Sequence, residues 1–141
     1  MTVNQFMTTD HRACDEQFAN LENCVDSGNF DAAKTMYEEL STHMIRHFDM
    51  EEKIMFPMFN EAKAEGCNPT NVMIMEHNQM RVLLNKMDSA IKTEEKENFL
   101  GLSENLLFLM QQHNMKEEQI MYNLVDDALN SQEIIEKMKE I

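Results

Sequence analysis

Four histidines carry the chemistry this sequence could do. His11, His47, His77 and His113 each fall on the apolar face of a separate helical stretch, out of five histidines in the chain. Two are followed four residues later by a glutamate: His47 by Glu51, and His113 by Glu117. Residues i and i+4 lie on one helix face a turn apart, so each pair presents an imidazole and a carboxylate together. If the four faces meet, four imidazoles and two carboxylates share one level of the core. Carboxylates are rarely buried without compensation. A pair of divalent or trivalent cations would supply it, with the carboxylates bridging and the imidazoles in terminal positions. Such nitrogen and oxygen donors suit iron, then zinc or manganese. One buried His–Glu pair would read as ordinary core packing, but four histidines at repeated spacing read as a metal site.

The spacing is indeed repeated. His47 follows His11 by 36 residues, and His113 follows His77 by the same interval, with the two halves offset by 66. At that offset Met7 falls on Met73, Asp10 on Glu76 and Met44 on Met110. Glu51-Glu52 falls on Glu117-Glu118, Ile54-Met55 on Ile120-Met121, and Phe56 on Tyr122. The chain therefore reads as two helix hairpins of one design about a pseudo-twofold axis.

The elements that must hold these residues follow from apolar spacing. The first helix is expected from about Thr9 to Asp26, with Met7, His11, Cys14, Phe18, Leu21 and Val25 inward and Gly28 ending it. The second runs from Asp31, read as its N-cap, to Ala64, with Gly66 closing it. Its expected face is Met36, Leu40, Met44, His47, Glu51, Ile54 and Met58, and Pro57 should kink it or end its regular part. The third starts at Pro69 behind an Asn68 cap and runs to Lys92, with Met73, His77, Met80, Leu84, Met87 and Ile91 inward. The fourth starts near Thr93 with Glu94 and Glu95 in its first turn and continues to Ala128. Its expected face is Phe99, Leu102, Leu106, Met110, His113, Glu117, Ile120 and Leu124. Ser131 is read as the cap of a short final helix. The fold class is all-α: an antiparallel up-down-up-down four-helix bundle spanning 1–141 as one domain, with a short extra C-terminal helix.

Composition narrows the function. The 141 residues include only 3 glycines and 2 prolines, too few for the turns of a sheet protein. Twelve basic residues against 26 acidic ones give a net charge of −14, which argues against a nucleic-acid partner or an anionic membrane surface. No apolar run is long enough to span a bilayer, and the start of the chain lacks the pattern of a secretory signal. Cys14, Cys24 and Cys67 show no zinc or disulfide spacing, so a reducing cytoplasm is the expected location.

These motifs resemble a known family. Asp10-His11, the run His47-Phe48-Asp49-Met50-Glu51-Glu52-Lys53-Ile54-Met55-Phe56-Pro57, Glu76-His77, and the run from His113 to Tyr122 are similar to the hemerythrin-like, HHE cation-binding proteins. The likeness covers about residues 9 to 128. It implies a bundle around a non-haem centre of two iron ions with an oxo or hydroxo bridge. His11, His47, His77 and His113 would be terminal ligands, and Glu51 and Glu117 would bridge. Where the oxygen carriers of the family have a further histidine, one turn before the one matching His77, this chain has Met73. The carriers place their second carboxylate five residues after the last histidine, where Glu118 stands; the internal repeat favours Glu117. This donor set resembles the repair and stress members more than the carriers.

The resemblance implies a partner that is a small diatomic ligand or peroxide. Oxidative or nitrosative stress defence ranks first, then oxygen binding, storage or sensing. Iron–sulfur cluster repair or iron donation is the alternative, and a non-redox, metal-stabilised interaction module with zinc is the other. No nucleophile or general base is evident, so turnover would rest on the metals, fed by an electron-donor protein. The chain is expected to be a monomer or a weak homo-oligomer. His43, one turn before His47, is open to three readings: a further ligand, a group behind the ligands, or a boundary histidine. Its twin at the offset is Leu109. Tyr122, nine residues after His113, and Tyr37 are candidates to bring a phenol near the metals, and Cys14 to line the site. The 15 methionines read chiefly as core filler.

Overall fold

The computed structural model describes residues 1–63 and 69–141. Every regular element among them is helical. Helix α1 spans Val3–Asp26, and α2 spans Phe30–Asp49. A wide π-helical segment, Met50–Met55, continues α2 into α3, Phe56–Ala62. Helix α4 spans Pro69–Lys92 and α5 Lys96–Lys116. A second π segment, Glu117–Met121, leads into α6, Tyr122–Ala128, and α7 covers Ser131–Lys139. No helix among the described residues is long and apolar enough to cross a membrane.

Local chemistry sets the ends. Helix α1 begins six residues earlier than apolar spacing suggests, because Thr2 and Gln5 form a reciprocal capping box. Its start is fixed again when the Val3 and Asn4 backbone N–H groups donate to the two oxygens of Asp126, at 2.7 and 3.1 Å. After α1 the chain reverses through Gly28 at φ +81°, a left-handed conformation that glycine adopts without strain. The cap of α2 is Asn29 rather than Asp31, its side chain accepting from the Ala32 N–H. Glu94 and Glu95 precede α5 instead of filling its first turn. Glu94 takes φ +56° in the reversal, and the Glu95 N–H donates back to the Ala90 carbonyl at 2.9 Å. Asn130 caps α7, so Ser131 is its first residue. The expected Asn68 cap, the Gly66 stop and Cys67 lie outside the described residues.

Helix α1 packs on α2 and α5, and α4 packs on α5 and α2, so the four long helices are joined neighbour to neighbour. Two apolar clusters fill the interior. One is built around Phe18, Leu40, Leu84, Phe99 and Leu106. The other gathers Met7, Met50, Met55, Phe56, Met121 and Tyr122, sealed by Ile134 and Met138 of α7. The buried histidines and glutamates belong to neither cluster.

The π segments revise the expected faces. Past Glu51 the buried residues are Met55, Phe56 and Phe59, not Ile54 and Met58. Past Glu117 they are Met121, Tyr122 and Val125, while Ile120 is 57% and Leu124 38% exposed. A wide turn closes i→i+5 bonds and inserts one residue into the helical period, which moves the inward face one position along the chain. Pro57 does not cause this. Its twin at the 66-residue offset is Asn123, and the second wide turn forms there without a proline.

Candidate metal centre

Each long helix delivers one histidine to one layer. The imidazoles pair across the interior: His11 with His47 at 4.7 Å between ring centroids, and His77 with His113 at 4.8 Å. Both carboxylates, Glu51 and Glu117, are wholly buried between the pairs. Glu51 Oε1 lies 3.0 Å from His77 Nε2 and 3.6 Å from His47 Nε2. Glu117 Oε1 lies 3.1 Å from His113 Nε2 and 3.2 Å from His11 Nε2. Each glutamate thus reaches one histidine of either pair.

What aims the imidazoles inward is a second set of four carboxylates, of which sequence reasoning gave Asp10 and Glu76 no role and read Glu118 as a possible bridge. His47 Nδ1 donates to Asp10 at 2.6 Å, and His113 Nδ1 to Glu76 at 2.9 Å. His77 Nδ1 donates to Glu52 at 2.6 Å, and His11 Nδ1 to Glu118 at 2.8 Å. An imidazole that donates from Nδ1 keeps the Nε2 lone pair for another partner, the arrangement that orients metal-binding histidines. The four contacts obey the 66-residue offset, since Asp10 matches Glu76 and Glu52 matches Glu118. The signal was therefore present in the repeat. The acid beside each first histidine serves the second histidine of its own hairpin, and the acid after each inward glutamate serves the other hairpin. Glu52 is further held by Arg81 at 2.8 Å, and Arg81 covers Phe48, which stacks on His77.

Other candidates fall outside this layer. Glu118 carries His11 from behind, with its carboxylate partly exposed, while Glu117 turns inward. His43 donates toward neither inward group; its nitrogens meet Gln17 at 2.6 Å and Asp10 at 2.9 Å, so it braces the acid behind His47. The Tyr37 hydroxyl donates to the Leu84 carbonyl in the other cluster. Cys14 is near-buried beside a void of about 20 Å³ that it lines with His11, His47, Met44, Met80 and Met110. The Tyr122 hydroxyl lies inside the layer, 2.9 Å from both Glu51 Oε2 and Glu117 Oε1.

The electrostatics are those of a site that wants cations. Burial and the charge of Glu117 raise the Glu51 carboxyl. Burial also raises Glu117, but the His113 charge and hydrogen bonds from Glu51 and His11 outweigh it and pull it well down. Burial lowers His113, yet the two glutamates carry it up to about 9. His11 and His77 rise for the same reason. Burial and the same two carboxylates push the Tyr122 phenol well above its ordinary value. Behind the histidines, Asp10, Glu52 and Glu76 are raised by burial but lowered further by their hydrogen-bonded histidines, with Arg81 and Lys116 aiding the last two.

The donor atoms fit a metal. Oε1 of Glu51, Nε2 of His77, Nε2 of His113 and Oε2 of Glu117 are buried without a well-formed hydrogen bond, although two of them stand near each other. Buried polar atoms are rarely left so. Glu51, His77, His113 and Glu117 place ligand atoms within 4.8 Å of one another, and His11, His47 and Glu117 form a second such group. Glu117 is common to both.

Comparison with known proteins settles the family. The family model described as the hemerythrin HHE cation binding domain matches residues 2–125. The chain belongs to the hemerythrin HHE cation-binding family. No curated protein and no solved structure gives a significant match. Cation binding is the property the family name states, and the buried His/Glu groups of this hemerythrin-type chain are where it can occur.

Proposed function

We propose that this chain is a non-haem two-iron protein that binds or reacts with O2, NO or peroxide, with oxidative or nitrosative stress defence as the first role and oxygen binding or sensing as the next. One observation carries the reading: two histidine pairs face each other across two wholly buried glutamates, and each glutamate reaches both pairs. A structural zinc needs one closed set of four donors, whereas this layer offers two sets that share a carboxylate. We read the fold as an antiparallel up-down-up-down bundle, which agrees with the neighbour-to-neighbour packing of its four long helices.

When bound, an iron pair supplies reversible one-electron chemistry and an electrophilic position for a small oxidant. The chain does the rest. Asp10, Glu52, Glu76 and Glu118 hold the imidazole tautomers. Cys14, Met44, Met80 and Met110 enclose a void with room for about one small molecule beside His11 and His47. Its apolar lining admits a neutral diatomic more readily than a hydrated ion. Electrons for turnover would come from a separate donor protein.

The test is metal content per chain by plasma mass spectrometry after anaerobic iron loading and removal of excess metal, followed by near-ultraviolet spectra with dithionite, oxygen and azide. Two irons per chain and a spectrum that responds to all three are expected. A single zinc, or no retained metal, overturns the reading.

A further inference from the structure

One difference between the two halves of the layer falls among its inward donor atoms. Phe56 and Tyr122 are twins at the 66-residue offset, both essentially without solvent exposure and both directly after a wide turn. Packing alone is met by a phenyl ring, as Phe56 demonstrates. A buried phenol also needs a partner for its hydroxyl. Among the described residues, the partners of the Tyr122 hydroxyl are all inward donor atoms: Glu51 Oε2 and Glu117 Oε1 at 2.9 Å each, His11 Nε2 at 3.1 Å and His47 Nε2 at 3.3 Å.

The consequence is visible in which atoms lack partners. Among the described residues, all four unpartnered donors belong to the group of Glu51, His77, His113 and Glu117, on the side of Phe56. Neither Nε2 of His11 nor that of His47 is among them. The spacing is informative as well. Two donors at right angles around one metal, each about 2.1 Å from it, stand about 3 Å apart. His11 Nε2 and His47 Nε2 are 3.1 Å apart, and the phenol oxygen stands off all four of its neighbours by a similar distance. It occupies the place of one more donor of the same set.

We propose that Tyr122 is a protein ligand to the metal held by His11 and His47, which makes the two metal positions chemically different. The inference rests on the two-iron reading above. On ligation a metal–oxygen bond forms as the phenol O–H bond breaks; the proton leaves to solvent, and no electron moves. Tyr122 belongs to the apolar cluster on one side of the layer, and the void is lined by members of the other. The phenol therefore leaves the void side of this position free for a small ligand.

The experiment compares the wild-type chain with Tyr122→Phe, both iron-loaded without oxygen and then oxidised with ferricyanide. Iron content, visible absorption and resonance Raman spectra are recorded. Tyr37 is the only other tyrosine, and Tyr37→Phe serves as the control. Expected is a visible phenolate-to-iron(III) band with enhanced tyrosine ring modes in the wild type and in Tyr37→Phe, lost in Tyr122→Phe while iron is retained. Full iron content without tyrosine modes in the wild type overturns the proposal and leaves the two-iron reading intact. No iron in the wild type overturns both. Phe56 shows that phenylalanine suits this place, and circular dichroism checks the fold of the variant. Should the variant not fold, fluorotyrosine incorporated into Tyr37→Phe must shift the ring modes, and unshifted spectra overturn the proposal.

Discussion

Replacing Glu51 by glutamine should act with opposite sign on the metal-free and iron-loaded protein. In the metal-free fold Glu51 is wholly buried, its Oε1 has no hydrogen bond, and it faces the charge of Glu117. An unsatisfied buried polar atom costs about 1–3 kcal/mol. The amide introduced by Glu51→Gln retains an oxygen for the Tyr122 hydroxyl and places N–H donors where Oε1 lies, 3.0 Å from His77 Nε2 and 3.6 Å from His47 Nε2. The metal-free variant is therefore expected to gain about 1–3 kcal/mol, a rise in Tm of roughly 2–12 °C at 2–4 °C per kcal/mol for a chain near this size. The gain should grow with pH. Glu51 is held above its ordinary value of 4.5, so above that pH the folded wild type keeps a proton the unfolded chain has released. Its stability then falls as pH rises, and glutamine removes that fall. In the loaded protein the sign reverses, because the substitution removes an anionic donor within reach of both histidine pairs and with it the stability that metal binding adds. Calorimetry of both proteins with and without iron reads the four values. An ordinary buried ion pair between Glu51 and His77 predicts otherwise: truncating one partner would cost about 3–5 kcal/mol whether or not iron is present. A loss of that size in the metal-free variant would refute the reasoning.

Asp10→Asn weakens the grip on His47 and frees His43, so iron affinity measured against a competing chelator should fall about 10–100-fold; His43→Gln should cost less, and equal losses would contradict the bracing role of His43. Pro57→Ala should leave iron content and spectra unchanged, because the second wide turn forms without a proline; loss of iron would show that proline sets the first turn. Cys14→Leu should fill the void, so that nitric oxide, which must displace the added side chain, binds about 1–3 kcal/mol more weakly at unchanged iron content; undiminished nitric oxide affinity would place the ligand elsewhere. With Glu51 already withdrawing stability above 4.5, the metal-free protein should be most stable near the ordinary glutamate value of 4.5 and lose more above the histidine value of 6.5. Glu117, held low, withdraws its contribution as pH falls toward its folded value, and His113, held up at about 9, withdraws its own as pH rises from 6.5 through 9. Chemical denaturation across pH checks this, and stability still rising above pH 6.5 would contradict it.

How much of this could be read from the chain depends on where its helical period holds. Through α1 and α4 the period is regular, and every residue placed inward there, from Met7 to Val25 and from Met73 to Ile91, is buried. The histidine layer was legible for the same reason, since each histidine precedes the irregular segments. Beyond Glu51 and Glu117 the period changes, and a pattern of apolar residues does not by itself reveal where one residue is inserted. Ile54 and Ile120 suit a regular helix face as well as Met55 and Met121 do, so sequence periodicity chose the wrong member of each pair.

The same insertion decides what Tyr122 does. In a regular helix a residue five places after Glu117 points about 140° away from it around the axis. The wide turn from Glu117 to Met121 closes much of that angle and brings the phenol to 2.9 Å from the Glu117 carboxylate. Phe56 is brought inward by the matching turn in the other hairpin. The repeat supplies both turns, and the difference between these twins supplies an asymmetry among the inward groups. With phenylalanine at both places, the two histidine pairs would face the same inward donors and differ only in flanking groups such as His43 and Leu109. With a phenol at one and a phenyl ring at the other, the positions differ in charge and in available donors, which is what a site needs if one metal is to hold a small ligand while the other shares in the electron transfer.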